Sequence, residues 1–165
     1  MINKNSEFEE FVNEILDLSG EIALKNFRKI RALTLKGDFS PVTKADEDIE
    51  KFIRSMIYEK YPSHKIIGEE LDDFEGSENV TWYIDPIDGT RSFVAGKHDF
   101  GTLIALVVNG ELIGGVIDCP ALGERWTSFS SNETKVNQKI TRCKTVENLK
   151  DAVMATTSSH EFGMK

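Results

Sequence analysis

Two aspartates, Asp85 and Asp88, lie three residues apart around a proline in the stretch 82–93 (WYIDPIDGTRSF), and Gly89 and Thr90 follow them directly. Carboxylate oxygens are the ligands that Mg²⁺ prefers, and two metal ions held in this way can promote phosphoryl transfer. A glycine allows close backbone approach to a ligand, and free amides at the start of a following short helix suit a phosphate. The stretch therefore predicts a site where cations and a phosphate meet.

Three further carboxylates could join this pair. Glu69 and Glu70 lie at the end of the preceding predicted strand, and Asp46 lies in the first turn of a predicted helix. Each has an ordinary structural explanation, because aspartates cap helices and turns, an acidic residue in a first turn favours the helix dipole, and exposed glutamates are simply solvated. The residues alone leave both interpretations open.

Two helices should precede the strands that carry these residues. A capping box near the N-terminus and apolar residues at helical spacing predict a first helix from about Glu7 to about Lys29. Thr43 can cap a second helix, which Pro62 ends. The apolar stripe of that second helix comprises Ile49, Phe52, Ile53, Met56 and Ile57.

Two short strands, at 65–70 (KIIGEE) and 81–85 (TWYID), should follow on either side of an acidic loop. Both predicted strands end in carboxylates, Glu69 and Glu70 in the first and Asp85 in the second.

A β-hairpin is predicted around Asn109-Gly110, the residue pair most suited to a type I′ turn, between runs at 99–108 and 111–118. Nearly every residue from Thr102 to Val108 is apolar, so we expect a strand buried on both faces and a sheet covered on both sides. The remaining predicted elements are strands at 124–130 and 135–143, a helical turn at 145–149 and a last strand at 151–157.

The composition is that of one globular domain, with 165 residues, 39% hydrophobic residues and a net charge of −8. The acidity argues against nucleic acid, because binding to the phosphate backbone needs clustered Lys and Arg. The longest apolar run, Leu103–Val108, is far shorter than a membrane span of about 20 residues. Cys119 and Cys143 follow no metal or redox spacing, and no secretory signal is visible, so we expect a cytoplasmic protein.

Three stretches together resemble successive motifs of the inositol monophosphatase family of magnesium-dependent phosphatases. They are 41–50 (PVTKADEDIE), 61–70 (YPSHKIIGEE) and 82–93 (WYIDPIDGTRSF). The segment 89–126 is similar to the branch of that family that hydrolyses histidinol phosphate. The resemblance extends over about residues 8–162.

The resemblance implies a role for each matching residue. The implied Mg²⁺ ligands are the side chains of Glu69, Asp85 and Asp88 and the carbonyl of Ile87. The implied catalytic residues are Glu69 and Thr90, which orient and deprotonate the attacking water, and Asp46, which holds Thr90 or the water shell of a further metal ion. The implied phosphate-binding residues are Asp88, Gly89 and Thr90.

The resemblance also implies an α/β (α+β layered) fold of the sugar-phosphatase type, in which N-terminal helices pack on a largely antiparallel sheet. Full-length members continue into a second α/β half, where a tryptophan–aspartate motif completes the metal site. That motif is absent from this sequence. We therefore expect residues 1–165 to form the N-terminal α/β domain only, with the C-terminal half missing and one metal ligand absent.

Three functions follow from the resemblance as expectations. The first is a Mg²⁺-dependent phosphomonoesterase that converts histidinol phosphate and water to histidinol and phosphate. The second is an inositol-1-monophosphatase, which would use the same named residues. The third, of another class, is a catalytically impaired metal-binding fragment. The expected partners are a small phosphorylated substrate and a second copy in a homodimer, with neither nucleic acid nor membrane.

Overall fold

Two long helices lie on one face of a seven-stranded sheet in the computed structural model, which describes residues 4–29, 34–35, 41–130 and 133–153. None of the helices in these ranges is long and apolar enough to cross a membrane. The elements are α1 (Lys4–Asn26), β1 (Thr34–Leu35), β2 (Pro41–Val42), α2 (Lys44–Lys60), β3 (Lys65–Gly68), β4 (Val80–Asp88), α3 (Thr90–Val94), β5 (Gly101–Val108), β6 (Glu111–Cys119), β7 (Glu124–Ser130), β8 (Glu133–Val136), β9 (Lys139–Thr141) and a 3₁₀ turn (Leu149–Asp151).

The large sheet has the order β3-β4-β5-β6-β7-β8-β9. β3 and β4 are parallel, and every other neighbouring pair in this sheet is antiparallel. β1 and β2 form a separate antiparallel pair. The predicted α/β architecture, with N-terminal helices on a largely antiparallel sheet, is confirmed.

The first helix begins and ends three residues earlier than the sequence predicted. Its end is set by Arg28, whose φ of 60° is left-handed and therefore incompatible with another helical turn. Phe27 is thereby free to pack against Phe93 and Phe100, with ring centroids 5.7 and 5.1 Å away. The end of α1 is thus attached to the region that follows the Asp85–Thr90 stretch.

The cap of the second helix is confirmed at Thr43. The amide of Ala45 donates to Thr43 Oγ1 at 3.2 Å, and the Thr43 amide donates to the Asp46 carboxylate at 2.9 Å. This reciprocal arrangement is a capping box. The buried residues of α2 are Ala45, Asp46, Ile49, Glu50, Ile53 and Ile57.

The hydrophobic core lies between these two helices and the sheet. Residues of β3, β4, β5, β6 and β7 contribute to it, and along β4, β5 and β6 buried and more exposed residues largely alternate. Its most buried members include Val12, Ile15 and Leu16 of α1, Ile49, Ile53 and Ile57 of α2, and Trp82, Ile84, Ile104, Leu106 and Val116 of the sheet.

The predicted type I′ turn is confirmed, because Asn109 and Gly110 have φ values of 52° and 82°. The single strand predicted over 135–143 is wrong. A second tight turn divides it into β8 and β9, with φ values of 47° at Asn137 and 66° at Gln138. Near the C-terminus, the helical turn forms at Leu149–Asp151 instead of 145–149. Ala152 and Val153 are not in a strand, and 154–157 lie outside the described residues.

The prediction that the sheet is covered on both sides is not met by the described residues. The face opposite the helices, which we call the open sheet face, forms a wide depression of about 640 Å³. Its lining includes Ile67, Tyr83, Leu103, Ala105, Ile117 and Trp126. Tyr83 and Ile117 are 44% and 47% exposed. A continuous apolar surface of this kind favours association.

We expect the 165-residue chain to self-associate through the open sheet face. Static light scattering should show an average mass that rises with protein concentration. Ile117→Lys should reduce this rise, because a charged side chain on the face resists burial. Leu149→Lys is the control, since Leu149 is 90% exposed and lies outside the open sheet face. A mass of one chain at every concentration would contradict the prediction.

Candidate metal centre

A register shift in β4 places two predicted ligands on the same face of the sheet. Asp85 pairs with Leu103 and Asp88 with Gly101, so two residues of β4 lie opposite the single residue Thr102. Residues three apart on a regular strand point to opposite faces. The additional residue of this β-bulge reverses that alternation, and the carboxylates of Asp85 and Asp88 share a face.

The prediction that this strand ends at Asp85 is wrong, because β4 continues to Asp88. Pro86 would remove a ladder hydrogen bond from a regular strand, but bulges tolerate proline. Thr102 Oγ1 donates to the carbonyl of Pro86 at 2.8 Å, and both residues are buried. This hydrogen bond stabilises the bulge.

The parallel pairing of β3 and β4 brings Glu69 to the same place. Gly68 is paired with Ile84, so Glu69, the next residue of the chain, emerges beside Asp85. The carboxyl ends of parallel strands meet at one edge of a sheet. Asp85 therefore lies near both of the other predicted metal-ligand side chains, those of Glu69 and Asp88.

The electrostatics of this edge are unfavourable without a cation. Burial, followed by the negative charges of Glu69 and Asp88, raises the pKa of the Asp85 carboxyl to about 8. A hydrogen bond between the carboxyls of Asp85 and Glu69 contributes in the same direction. Asp85 Oδ1 is buried and has no hydrogen-bond partner in the structure. A cation would both neutralise the repulsion and give this oxygen a partner.

The donor chemistry fits Mg²⁺, since the oxygens come from carboxylates and no Cys or His belongs to the group. The described residues nevertheless contain no group of three Asp, Glu, His or Cys side chains close enough to form a ready-made metal site. The argument that Mg²⁺ suits this site therefore depends on the carboxylate chemistry of the ligands and on the unpartnered Oδ1 of Asp85.

Asp46 and Thr90 meet at the side of this group. Thr90 Oγ1 lies 3.3 Å from Asp46 Oδ1 and 3.0 Å from the carbonyl of Ile87. Asp46 is buried, and burial raises the pKa of its carboxyl, although hydrogen bonds from Thr43 and Thr90 oppose the shift. A carboxylate with a raised pKa is a better proton acceptor for the Thr90 hydroxyl.

Gly89 forms the turn between β4 and α3, the short helix predicted after the motif. Its φ is 83°, and a Cβ there would lie 2.9 Å from the carbonyl oxygen of Asp99. Glycine is therefore required both for the left-handed backbone and for the close approach. Asp88 and Gly89 are exposed and Thr90 is half-buried, so all three are accessible for the predicted contact with phosphate.

The sequence reasoning missed Glu50, which is completely buried one helical turn after Asp46. Its carboxylate accepts hydrogen bonds from the amides of Glu70 and Leu71, at 2.8 and 3.2 Å. The helical spacing contained the information, because Glu50 lies four residues after Asp46 on the buried stripe that includes Ile53.

The family model described as "Inositol monophosphatase family" matches residues 4–162. The chain belongs to the inositol monophosphatase family. It is 44% identical to the chloroplastic bifunctional phosphatase IMPL2 of Arabidopsis thaliana. The match extends over 152 residues, which are 91% of this chain and 44% of that protein. It is 43% identical to the histidinol-phosphatase of Chlorobaculum parvum. That match extends over 112 residues, which are 67% of this chain and 43% of the other protein.

Among solved structures, the inositol monophosphatase fold recurs in the IMPase of Thermotoga maritima. The two chains superpose with a TM-score of 0.78 at 30% identity, over 86% of this chain and 55% of that chain. The predicted fold class is therefore confirmed. This inositol monophosphatase family member spans less than half the length of the two curated relatives named above.

Asp85→Asn should stabilise the metal-free chain at alkaline pH and abolish its thermal response to Mg²⁺. Because the pKa of Asp85 is raised to about 8, the folded chain holds a proton that the unfolded chain releases near pH 4. The stability of the metal-free wild type should thus fall as the pH rises from 4 through 8. At pH 9 the variant should melt a few degrees higher in chelator, since 1 kcal/mol corresponds to about 2–4 °C in a chain of this size.

Differential scanning calorimetry at pH 6 and pH 9, with chelator and with Mg²⁺, measures both effects. Asp151→Asn is the control, because Asp151 is exposed in the 3₁₀ turn. A variant that melts below the wild type at pH 9 in chelator, or that is still stabilised by Mg²⁺, would contradict this description of the site.

Proposed function

We propose that this chain carries the metal-binding and phosphate-binding part of a Mg²⁺-dependent phosphomonoesterase that hydrolyses histidinol phosphate. The observation that supports this most directly is that the parallel β3 and the β4 bulge place Glu69 and Asp88 each near the carboxyl of Asp85. An arrangement that crowds carboxylates at a sheet edge is unfavourable unless it serves to bind a cation.

Each residue has a role in this proposal. The side chains of Glu69, Asp85 and Asp88 and the carbonyl of Ile87 would hold Mg²⁺, which when bound neutralises charge on the phosphate and on the departing oxygen. Thr90 and Glu69 would orient the attacking water, whose proton would pass to the carboxylate of Glu69 or, through the Thr90 hydroxyl, to Asp46. Asp46 contacts the Thr90 hydroxyl and would fix its orientation. No covalent enzyme intermediate is required.

The phosphate would lie at the turn between β4 and α3. The amides of Gly89 and Thr90 would donate to its oxygens, and the left-handed backbone of Gly89 allows the chain to turn there without a side chain in the way. Asp88 lies at the same turn and would contact the phosphate through the cation that it helps to hold. Water would then attack from the side of Thr90 and Glu69.

Two substrates remain in competition. Similarity to a histidinol-phosphatase at 43% identity favours histidinol phosphate, and the solved IMPase at 30% identity keeps inositol 1-phosphate as the rival. Both substrates would use every residue named above. A metal-binding fragment without turnover is the alternative of another class. The homodimer and the cytoplasmic location stay predictions.

Phosphate release from histidinol phosphate and from inositol 1-phosphate, measured side by side with Mg²⁺ and with chelator, tests the proposal. We expect chelator-sensitive release, faster from histidinol phosphate. Asp85→Asn should lower the rate at least 100-fold, because it removes a charge that the cation requires. Asp151→Asn should leave the rate unchanged.

The same samples should be titrated with Mg²⁺ by isothermal calorimetry. Binding of Mg²⁺ without turnover would favour the metal-binding fragment over the phosphatase. The proposed function would be overturned if phosphate release persisted in chelator. It would also be overturned if the chain neither bound Mg²⁺ nor released phosphate. Faster release from inositol 1-phosphate would replace the substrate and keep the mechanism.

A further inference from the structure

The segment immediately after β3 is held by a buried ion pair on α2. Glu50 is 0% exposed and pairs with Arg54, whose Nε donates to Glu50 Oε1 at 2.8 Å. The same carboxylate accepts from the amides of Glu70 and Leu71. These amides follow the end of the strand, where ladder partners are no longer available, so they need another acceptor.

Arg54 completes the attachment from the other side. Its two terminal nitrogens donate to the carbonyls of Leu71 and Asp72, at 3.0 and 2.9 Å. The Glu50–Arg54 pair therefore satisfies two amides and two carbonyls of a three-residue stretch. Hydrogen bonds of this kind, in which one partner is charged, are stronger than neutral ones.

Gly68 shows how closely this pair approaches the backbone. A Cβ at Gly68 would lie 1.9 Å from Glu50 Oε1 and 2.7 Å from Arg54 Nη2. The carboxylate of Glu50 is thus packed directly against the last residue of β3. Glu50 therefore contacts both neighbours of Glu69 in the chain, Gly68 before it and Glu70 after it.

Helix α2 consequently determines two parts of the candidate metal centre from adjacent turns. Asp46 contacts Thr90, and Glu50, four residues later, holds the backbone around Glu69. Residues four apart on a helix share a face. The rotation and axial position of one helix therefore set the relation between Glu69 and Thr90.

We propose that Glu50, together with Arg54, is a positioning residue that holds Glu69 in place to bind the cation. The inference rests on the proposed function, because it takes Glu69 as a ligand of that cation. Glu50 itself does not touch the metal, and it acts through the backbone of Gly68 and Glu70. Loss of a partner that orients a metal ligand typically weakens metal binding by about 10–100-fold.

Calorimetric titration of Glu50→Gln with Mg²⁺ alone tests the inference. We expect the affinity to fall at least tenfold, since glutamine replaces one acceptor oxygen by a donor. Amide hydrogen exchange in the metal-free chain gives a second readout, in which Glu70 and Leu71 should exchange at least tenfold faster than in the wild type. Arg54→Lys keeps the positive charge and cannot make all three of the Arg54 contacts, so it should weaken binding by a smaller factor.

Asp118→Asn is the matched control. Asp118 is 5% exposed, and its carboxylate accepts from Arg125 of β7 at 2.7 Å. This hydrogen bond does not reach the segment after β3. This variant should lower the melting temperature and change the Mg²⁺ affinity by less than about twofold. Equal loss of affinity in both variants would reduce Glu50 to a general structural role and overturn the inference.

The remaining outcomes are also decisive. Wild-type affinity in Glu50→Gln, while the wild type binds Mg²⁺, would overturn the positioning role and leave the proposed function intact. A wild-type chain that binds no Mg²⁺ would overturn both. If Glu50→Gln does not fold, Arg54→Lys decides, and unchanged affinity in that variant would overturn the inference.

Discussion

The crowding of the Asp85 carboxyl between Glu69 and Asp88 is the constraint on which the rest of this structure depends. Like charges at the edge of a sheet repel, and burial makes the repulsion more costly because the surroundings screen it less. The raised pKa of Asp85 and its unpartnered oxygen express that cost in the metal-free chain. The fold must therefore supply enough stability elsewhere to keep these carboxyls together until a cation offsets the repulsion.

That stability comes from the packing of two helices on one sheet face and from specific hydrogen bonds around the site. Thr102 secures the bulge through the Pro86 carbonyl, and Asp46 and Glu50 secure the two sides from α2. These supporting residues are buried, whereas Asp85 is half-buried and Glu69 and Asp88 are exposed. The candidate ligands thus lie at the surface and are supported by buried residues, as precise placement of ligands requires.

The sequence predicted the features that depend on local chemistry. The Thr43 cap and the Asn109-Gly110 turn follow from residue types at short spacing. The candidate ligands come from the family resemblance, because the residues alone leave both the metal-site and the structural interpretation open. The β4 bulge could not be predicted in this way, because the register of β4 depends on its partner strand β5, which lies further along the chain. Seen without that partner, Pro86 indicated the end of a strand. Glu50 was missed because a buried carboxylate is unusual, and its partners become visible only when the segment after β3 folds back on α2.

Diffraction from a crystal soaked in Mn²⁺, measured at a wavelength where manganese scatters anomalously, tests the central claim most directly. Mn²⁺ prefers the same oxygen ligands as Mg²⁺ and can be located without prior assumptions about the site. The structure predicts an anomalous peak between the carboxylates of Glu69, Asp85 and Asp88. An absent peak, or a peak only at other carboxylates such as those of Asp17 and Asp118, would contradict the assignment of this edge as the metal centre.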